Sequence, residues 1–269
     1  PAGGAVGRRI HRGGGLARRS NKDFKQINDM TLFTKCLFEL VGTFVLILLG
    51  DGVVACTTLK KSKGYGGGWI VITIAWGLAV MCGVFISGPY SGAHLNPAVT
   101  LGLALAGQFP WAEVLPYILG QMAGGILGAV AVYLFYKDHF DATADEPAAV
   151  LGCFCTAPAI RNKWSNLLSE CVATFVLVFL ILCIGTYKIG TPGAIGAWPV
   201  TMVIVSIGMS LGATTGYAMN AARDLAPRLA HAILPVKGKE GSDWGYSWIP
   251  VVGPLAGAAL AALVFVLVF

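Results

Sequence analysis

The chain has 269 residues, of which 56% are apolar and only 12% charged, with a mean hydropathy of +0.72. About a quarter of an average soluble chain is charged, so a water-soluble globular domain is excluded and lipid is the expected solvent. The net charge of +6 does not point to a nucleic-acid partner, because eight of the nineteen basic side chains fall within residues 1–35.

Residues 1–33 are basic, interleaved with Gly and without hydrophobic periodicity, so a disordered tail is expected there. No apolar run precedes Thr31, which excludes a secretory signal in this stretch. The tail's charge puts the N-terminus in the cytoplasm by the positive-inside rule, although Lys60, Lys61 and Lys63 after the first apolar run do not sharpen that orientation.

About 20 apolar residues cross a bilayer as a helix. Six such stretches follow, at 35–57, 69–88, 114–136, 166–187, 197–215 and 248–269, separated by polar or Gly-rich breaks such as Lys60 to Gly68 and Lys137 to Lys163. Cys36, Cys56, Cys82, Cys171 and Cys183 lie in apolar surroundings and read as small packing residues. Cys153 and Cys155 form the one close pair, with nothing nearby to complete a metal site, and the four histidines are scattered. No metal and no cofactor are expected.

Two further apolar segments, 96–106 and 220–233, are helix-like but too short to cross. At about 1.5 Å per residue each reaches roughly halfway. Each opens with Asn, a favoured helix cap, and the first continues with Pro97. Such re-entrant half-helices are tolerated at membrane depth only where they line a wet cavity or are buried in protein.

The chain also repeats itself. Glu39-Leu-Val-Gly-Thr43 recurs as Glu170-Cys-Val-Ala-Thr174, and Ser91-Gly-Ala-His-Leu95 before Asn96 is matched by Thr215-Gly-Tyr-Ala-Met219 before Asn220. Each half, about 34–136 and 165–269, holds three spans and one half-helix. Three is odd, so the second half is inverted relative to the first, and inverted repeats put the functional site at the midplane. The fold class is an all-α membrane protein with six transmembrane helices, two re-entrant half-helices and an inverted internal repeat over residues 34–269. Arg223 stands out on its own residue type, because a charge within a membrane segment marks a functional site by default. Trp76 taken alone reads as an interfacial anchor or core aromatic, Gly208 as a close-packing residue and His94 as a core hydrogen-bonder.

Ser91-Gly-Ala-His-Leu-Asn-Pro-Ala-Val-Thr100 and Gly216-Tyr-Ala-Met-Asn-Ala-Ala-Arg-Asp224 resemble the two signature loops of the aquaporins. Asp224 directly after Arg223, together with Arg228 and Pro250-Val251, is similar to the glycerol-conducting branch, the aquaglyceroporins. The resemblance runs from about residue 34 to the end. One departure is Ala221, where the family has Pro.

The resemblance implies a passive channel for glycerol, water and other small uncharged solutes that excludes ions and protons. It implies Asn96 and Asn220 as donors to the solute at the midplane, and a ladder of backbone carbonyls from Gly92, Ala93 and His94 on one side and Gly216, Tyr217 and Ala218 on the other. It further implies a selectivity filter of Trp76, Gly208, Tyr217 and Arg223, with Gly208 leaving room for the solute. Glu39 and Glu170 would accept hydrogen bonds from the two loops, and Asp224 would orient the second. A homotetramer in the cell membrane is the implied assembly. The rival readings are an alternating-access carrier, which also uses inverted repeats, and a non-conducting junction protein. No nucleophile, base and orienting group stand at a spacing that suggests an enzyme.

Overall fold

The computed structural model describes residues 27, 30–187 and 196–269, so nearly all of the expected tail at 1–33 lies outside the described residues. The helices are α1 (Leu32–Thr58), α2 (Gly68–Ser91), α3 (Pro97–Leu105), α4 (Trp111–Phe135), α5 (Lys137–Ala142), α6 (Pro147–Gly152), α7 (Lys163–Tyr187), α8 (Trp198–Leu211), α9 (Ala221–Ile233) and α10 (Ile249–Val268). No strand occurs among the described residues. Among the described residues five helices, α1, α2, α4, α7 and α10, are long and apolar enough to cross a bilayer.

The sixth expected span, 197–215, is shorter than a full crossing. It is α8, 14 residues long, followed by one 3₁₀ turn over Gly212–Thr214. Fourteen residues rise roughly 21 Å against a hydrocarbon core of about 30 Å. The helix stops because the chain must turn into the second pore loop. A side chain at Gly212 would collide with the rings of Tyr217 and Trp69, so the turn is built on a bare Cα. The break between the third and fourth spans also carries structure that the sequence pattern does not reveal, the two one-and-a-half-turn helices α5 and α6.

Side-chain distribution follows the solvent. Large apolar residues such as Leu115, Leu119, Leu263 and Leu267 face outward, whereas Glu39, Gln121, Glu170, Asp224 and Arg228 are fully buried. Six of the seven tryptophans (Trp69, Trp111, Trp164, Trp198, Trp244 and Trp248) are exposed at or beside helix ends, as expected at a membrane–water interface. Trp76 is the exception, with only 6% of its surface exposed, which rules out an interfacial anchor.

The two halves pack alike. Gly124 and Gly128 of α4 press against backbone carbonyls of Leu40 and Phe44 in α1, and Gly257 of α10 presses against that of Cys171 in α7. Without a hydrophobic driving force in lipid, such close backbone approach through small residues is what holds helices together. The half-helices α3 and α9 fill the space between these pairs and meet at their N-termini.

Candidate functional site

Both half-helices begin the same way. Asn96 and Asn220 are extended N-cap residues whose side-chain oxygens accept from the amides of Ala98 and of Ala222 and Arg223. Each amide nitrogen then donates across the midplane, Asn96 Nδ2 to the Met219 carbonyl and Asn220 Nδ2 to the Leu95 carbonyl, both at 2.8 Å. This reciprocal pair ties the two loops together. Each carboxamide has two N–H groups, so one on each Asn is left over by this pair. Both residues line the same cavity.

The stretches before each Asn are not simply extended. Gly92, Ala93 and Leu95 have φ of 85°, 52° and 53°, and Gly216, Tyr217 and Met219 have φ of 83°, 38° and 49°. Left-handed conformations in non-glycine residues cost about 1–3 kcal/mol each and persist only where the surroundings impose them. The imposing groups are two buried carboxylates. Glu39 accepts from Ser91 Oγ (2.6 Å), the amides of His94 (2.9 Å) and Leu95 (2.7 Å) and Gln121 Nε2 (2.8 Å). Glu170 accepts from Thr215 Oγ1 (2.6 Å) and the amides of Ala218 (3.0 Å) and Met219 (2.9 Å). Hydrogen bonds to a charged group contribute about 1.5–3 kcal/mol each, enough together to offset the strain.

These loops bound a cavity of about 190 Å³. Gly92, Ala93, His94, Gly216, Tyr217 and Ala218 line it, and Leu46, Val80, Val99, Leu103, Leu177 and Ile204 are among the apolar residues that complete the wall. His94 is held by Thr100 Oγ1 at 3.1 Å and packs against Phe109 and Tyr117. No Asp or Glu lines the cavity among the described residues.

Trp76, Tyr217 and Arg223 also line this cavity. The Arg223 guanidinium lies over the Trp76 ring, 4.3 Å from its centre. Its Nη1 is 3.4 Å from the Phe154 carbonyl and 3.5 Å from Asp51 Oδ1, while Nε and Nη2 make no protein hydrogen bond among the described residues. Gly208 departs from its expected place. It does not line the cavity, and the space left by its missing side chain is filled by Tyr217. A Cβ there would sit 2.9 Å from Tyr217 Cζ and 3.0 Å from its hydroxyl. The Gly208 carbonyl accepts from Trp69 Nε1 at 3.0 Å, and Trp69 meets the Tyr217 ring edge-on. Gly208 thus admits an aromatic ring rather than a solute. The Tyr217 hydroxyl is buried and has no hydrogen-bond partner among the described residues.

Asp224 faces away from the cavity. One oxygen accepts from the amide and hydroxyl of Thr156, both at 2.7 Å, and the other from Arg228 Nε and Nη2 at 3.0 and 2.7 Å. Arg228 further donates to the carbonyls of Ser242, Asp243 and Thr156, so one fully buried side chain ties two loops to α9.

Sequence reasoning singled out Glu39 and Glu170 because they repeat, and so passed over Asp51, Gln121, Thr156 and Trp69, which do not. For Asp51 the signal was present, a carboxylate in the middle of an apolar span. Thr156 and Trp69 carry no such mark, because a polar residue in a break and a Trp at a span end are ordinary.

A family model described as Major intrinsic protein matches residues 26–265. The chain is 53% identical over 237 residues to glycerol uptake facilitator protein 3 of Lactiplantibacillus plantarum, covering 87% of this chain and 96% of the relative. It is 55% identical over 227 residues to the glycerol uptake facilitator protein of Streptococcus pneumoniae, covering 84% of this chain and 96% of that one. Among solved structures it resembles the aquaglyceroporin from Plasmodium falciparum, with a TM-score of 0.76 and 28% identity over 88% of this chain and 97% of the other. With its two reciprocally capped half-helices at the centre of an inverted repeat, the chain belongs to the major intrinsic protein family, in its aquaglyceroporin branch.

Proposed function

We propose that this protein is a passive channel for glycerol and other small uncharged solutes, water among them, and that it excludes ions and protons. The family is one of transport channels rather than enzymes. The observation that carries the reading is a cavity lined both by the two loops and by apolar side chains, with two Asn donors where the half-helices meet. A polyol has hydroxyls on one edge and CH groups on the other, and such a passage suits both.

Ion exclusion follows from charge. Each half-helix N-terminus carries about half a positive charge. Two of them about 5 Å from a passing cation oppose it by roughly 3 kcal/mol at an effective dielectric of 20, before any loss of hydration. A water that accepts from both Asn amides has its oxygen committed and cannot relay a proton.

Trp76, Tyr217 and Arg223 form the constriction, with Gly208 behind Tyr217. Arg223 offers Nε and Nη2 to a solute hydroxyl. Asn96 and Asn220 are the midplane donors, and Gly92, Ala93, His94, Gly216, Tyr217 and Ala218 supply the acceptor carbonyls. Glu39, Glu170 and Asp224 are supports. Residues 34–269 are a single channel domain that works as a homotetramer in the cell membrane, with the N-terminus and its basic tail in the cytoplasm. An alternating-access carrier would need a coupling group, and the lack of any carboxylate on the described cavity wall speaks against it.

Stopped-flow light scattering on proteoliposomes tests the reading. Glycerol permeability is expected to be non-saturating and only weakly temperature-dependent. Saturable, ion-dependent uptake would replace the channel with a carrier, and absent flux would leave a junction protein.

A further inference from the structure

The two buried guanidiniums of α9 each have a carboxylate within ion-pair distance only if Asp51 is counted. Arg228 is matched by Asp224 at 2.7 Å, and the oxygens of Asp224 are taken by Arg228 and Thr156. Nothing on that side is left for Arg223. The acidic group that faces it is Asp51 of α1, 1% exposed, with Oδ1 3.5 Å from Arg223 Nη1. Neither Asp51 oxygen makes a hydrogen bond among the described residues, and Asp51 does not line the cavity. An isolated carboxylate in a membrane span is expensive, and so is an isolated guanidinium, but each offsets the other's charge.

We infer that Asp51 is a positioning residue for the constriction: its buried carboxylate cancels the charge of Arg223 and holds Nη1 on the far side from the lumen. The guanidinium then meets a solute with its remaining N–H donors but without a net positive field. A bare guanidinium would add to the two positive helix ends and favour small anions. Paired with Asp51, it donates hydrogen bonds to an uncharged polyol and gives an anion no surplus charge. Asp51 thus selects uncharged solutes over anions, acting through Arg223. The inference rests on the reading of Arg223 as a constriction residue, and the two can fail separately.

The test uses full-length protein in proteoliposomes, with chloride influx followed by a halide-quenched dye, potassium influx by a potassium dye, and glycerol by stopped flow. Asp51→Asn, close to isosteric, should raise chloride influx about tenfold or more, with glycerol flux changed less than about threefold. Arg223→Ala should instead admit potassium, because Asp51 is then the unpaired charge. The double variant should lose both leaks, a reciprocity that a merely structural role would not produce. If Asp51→Asn leaves chloride influx at the wild-type level while Arg223→Ala shifts selectivity, the inference is overturned and the constriction reading stands. If Arg223→Ala changes neither ion exclusion nor the glycerol-to-water ratio, the constriction reading falls and the inference with it. Asp51→Thr serves as a second uncharged variant. Should both Asp51 variants fold only when Arg223 is also replaced, the pairing is supported; should they fail to fold in either background, Asp51 serves the fold and the inference is overturned.

Discussion

The two pore loops share a backbone but not a bracing. In the first, a carboxylate with four donors and a helix opened by Pro97 are enough, and every partner of Glu39 is neutral. In the second, Glu170 has three donors, Ala221 stands where the first loop has Pro, and two acidic and two basic side chains are gathered behind α9. What repeats (Asn caps, left-handed residues, Glu braces) builds the midplane. What does not repeat gathers at the proposed constriction, where Asp51 of the first half faces Arg223 of the second.

If charge is what braces the second loop, breaking it should produce the largest stability loss. Arg228→Met leaves Asp224 buried without its ion partner and frees three loop carbonyls, so about 3–5 kcal/mol should be lost. Thermal unfolding in detergent measures this, and a loss below about 1 kcal/mol would mean that the knot of Arg228 is dispensable. The corresponding removal in the first loop, Gln121→Met, should cost far less, because no ion is left unpaired.

The braces themselves separate the halves next. Glu170→Gln turns an NH₂ group toward backbone donors that cannot adapt, with only the Thr215 hydroxyl free to rotate, so a loss of about 2–4 kcal/mol is expected. Glu39→Gln should lose roughly 1 kcal/mol less. Gln121 Oε1 is buried without a partner, and rotation of that amide offers an acceptor to the new NH₂. Equal losses in the two variants would show that Gln121 does not adapt.

The architecture was legible because membrane physics writes it plainly. Span lengths, half-span lengths, the Asn caps and the Glu repeat each follow from a local requirement, and the half-helix over Pro97–Leu105 falls within a residue of its expected 96–106. The constriction was less legible. That Tyr217 packs into the space left by Gly208 could not be read from sequence, which gives a residue's size but not which neighbour takes the vacated space. Asp51 was overlooked because its meaning depends on Arg223, 172 positions later, and on Asp224 being fully occupied. The span at 197–215 was legible as the helical segment Trp198–Thr214, but not its change to a 3₁₀ turn over Gly212–Thr214, because those residues are apolar or small enough to pass for α-helix.

Smaller effects belong to the cavity wall of the second loop. The Tyr217 hydroxyl is unpartnered, so Tyr217→Phe should leave stability unchanged or raise it by up to about 1 kcal/mol. Because the hydroxyl is buried against Gly208 and not toward the cavity, the glycerol-to-water permeability ratio should stay unchanged. A drop in stability would mean that the hydroxyl is bonded to the protein after all. Smallest of all, Ala221→Pro should restore the symmetry of the two loops at almost no change. Ala221 is the first helical residue, its amide makes no hydrogen bond among the described residues, and Pro is preorganised there. Stability should rise by a few tenths of a kcal/mol, up to about 1, through reduced freedom of the unfolded chain. Misfolding of this variant would separate the second loop from the first at the backbone level.

The central claim is that the meeting half-helices and the paired constriction pass uncharged solutes and stop charged ones. It is tested most directly by measuring glycerol flux and ionic conductance on the same reconstituted preparation. The account predicts rapid glycerol equilibration with no conductance above that of protein-free bilayers; a proton or potassium current comparable to the solute flux would contradict it.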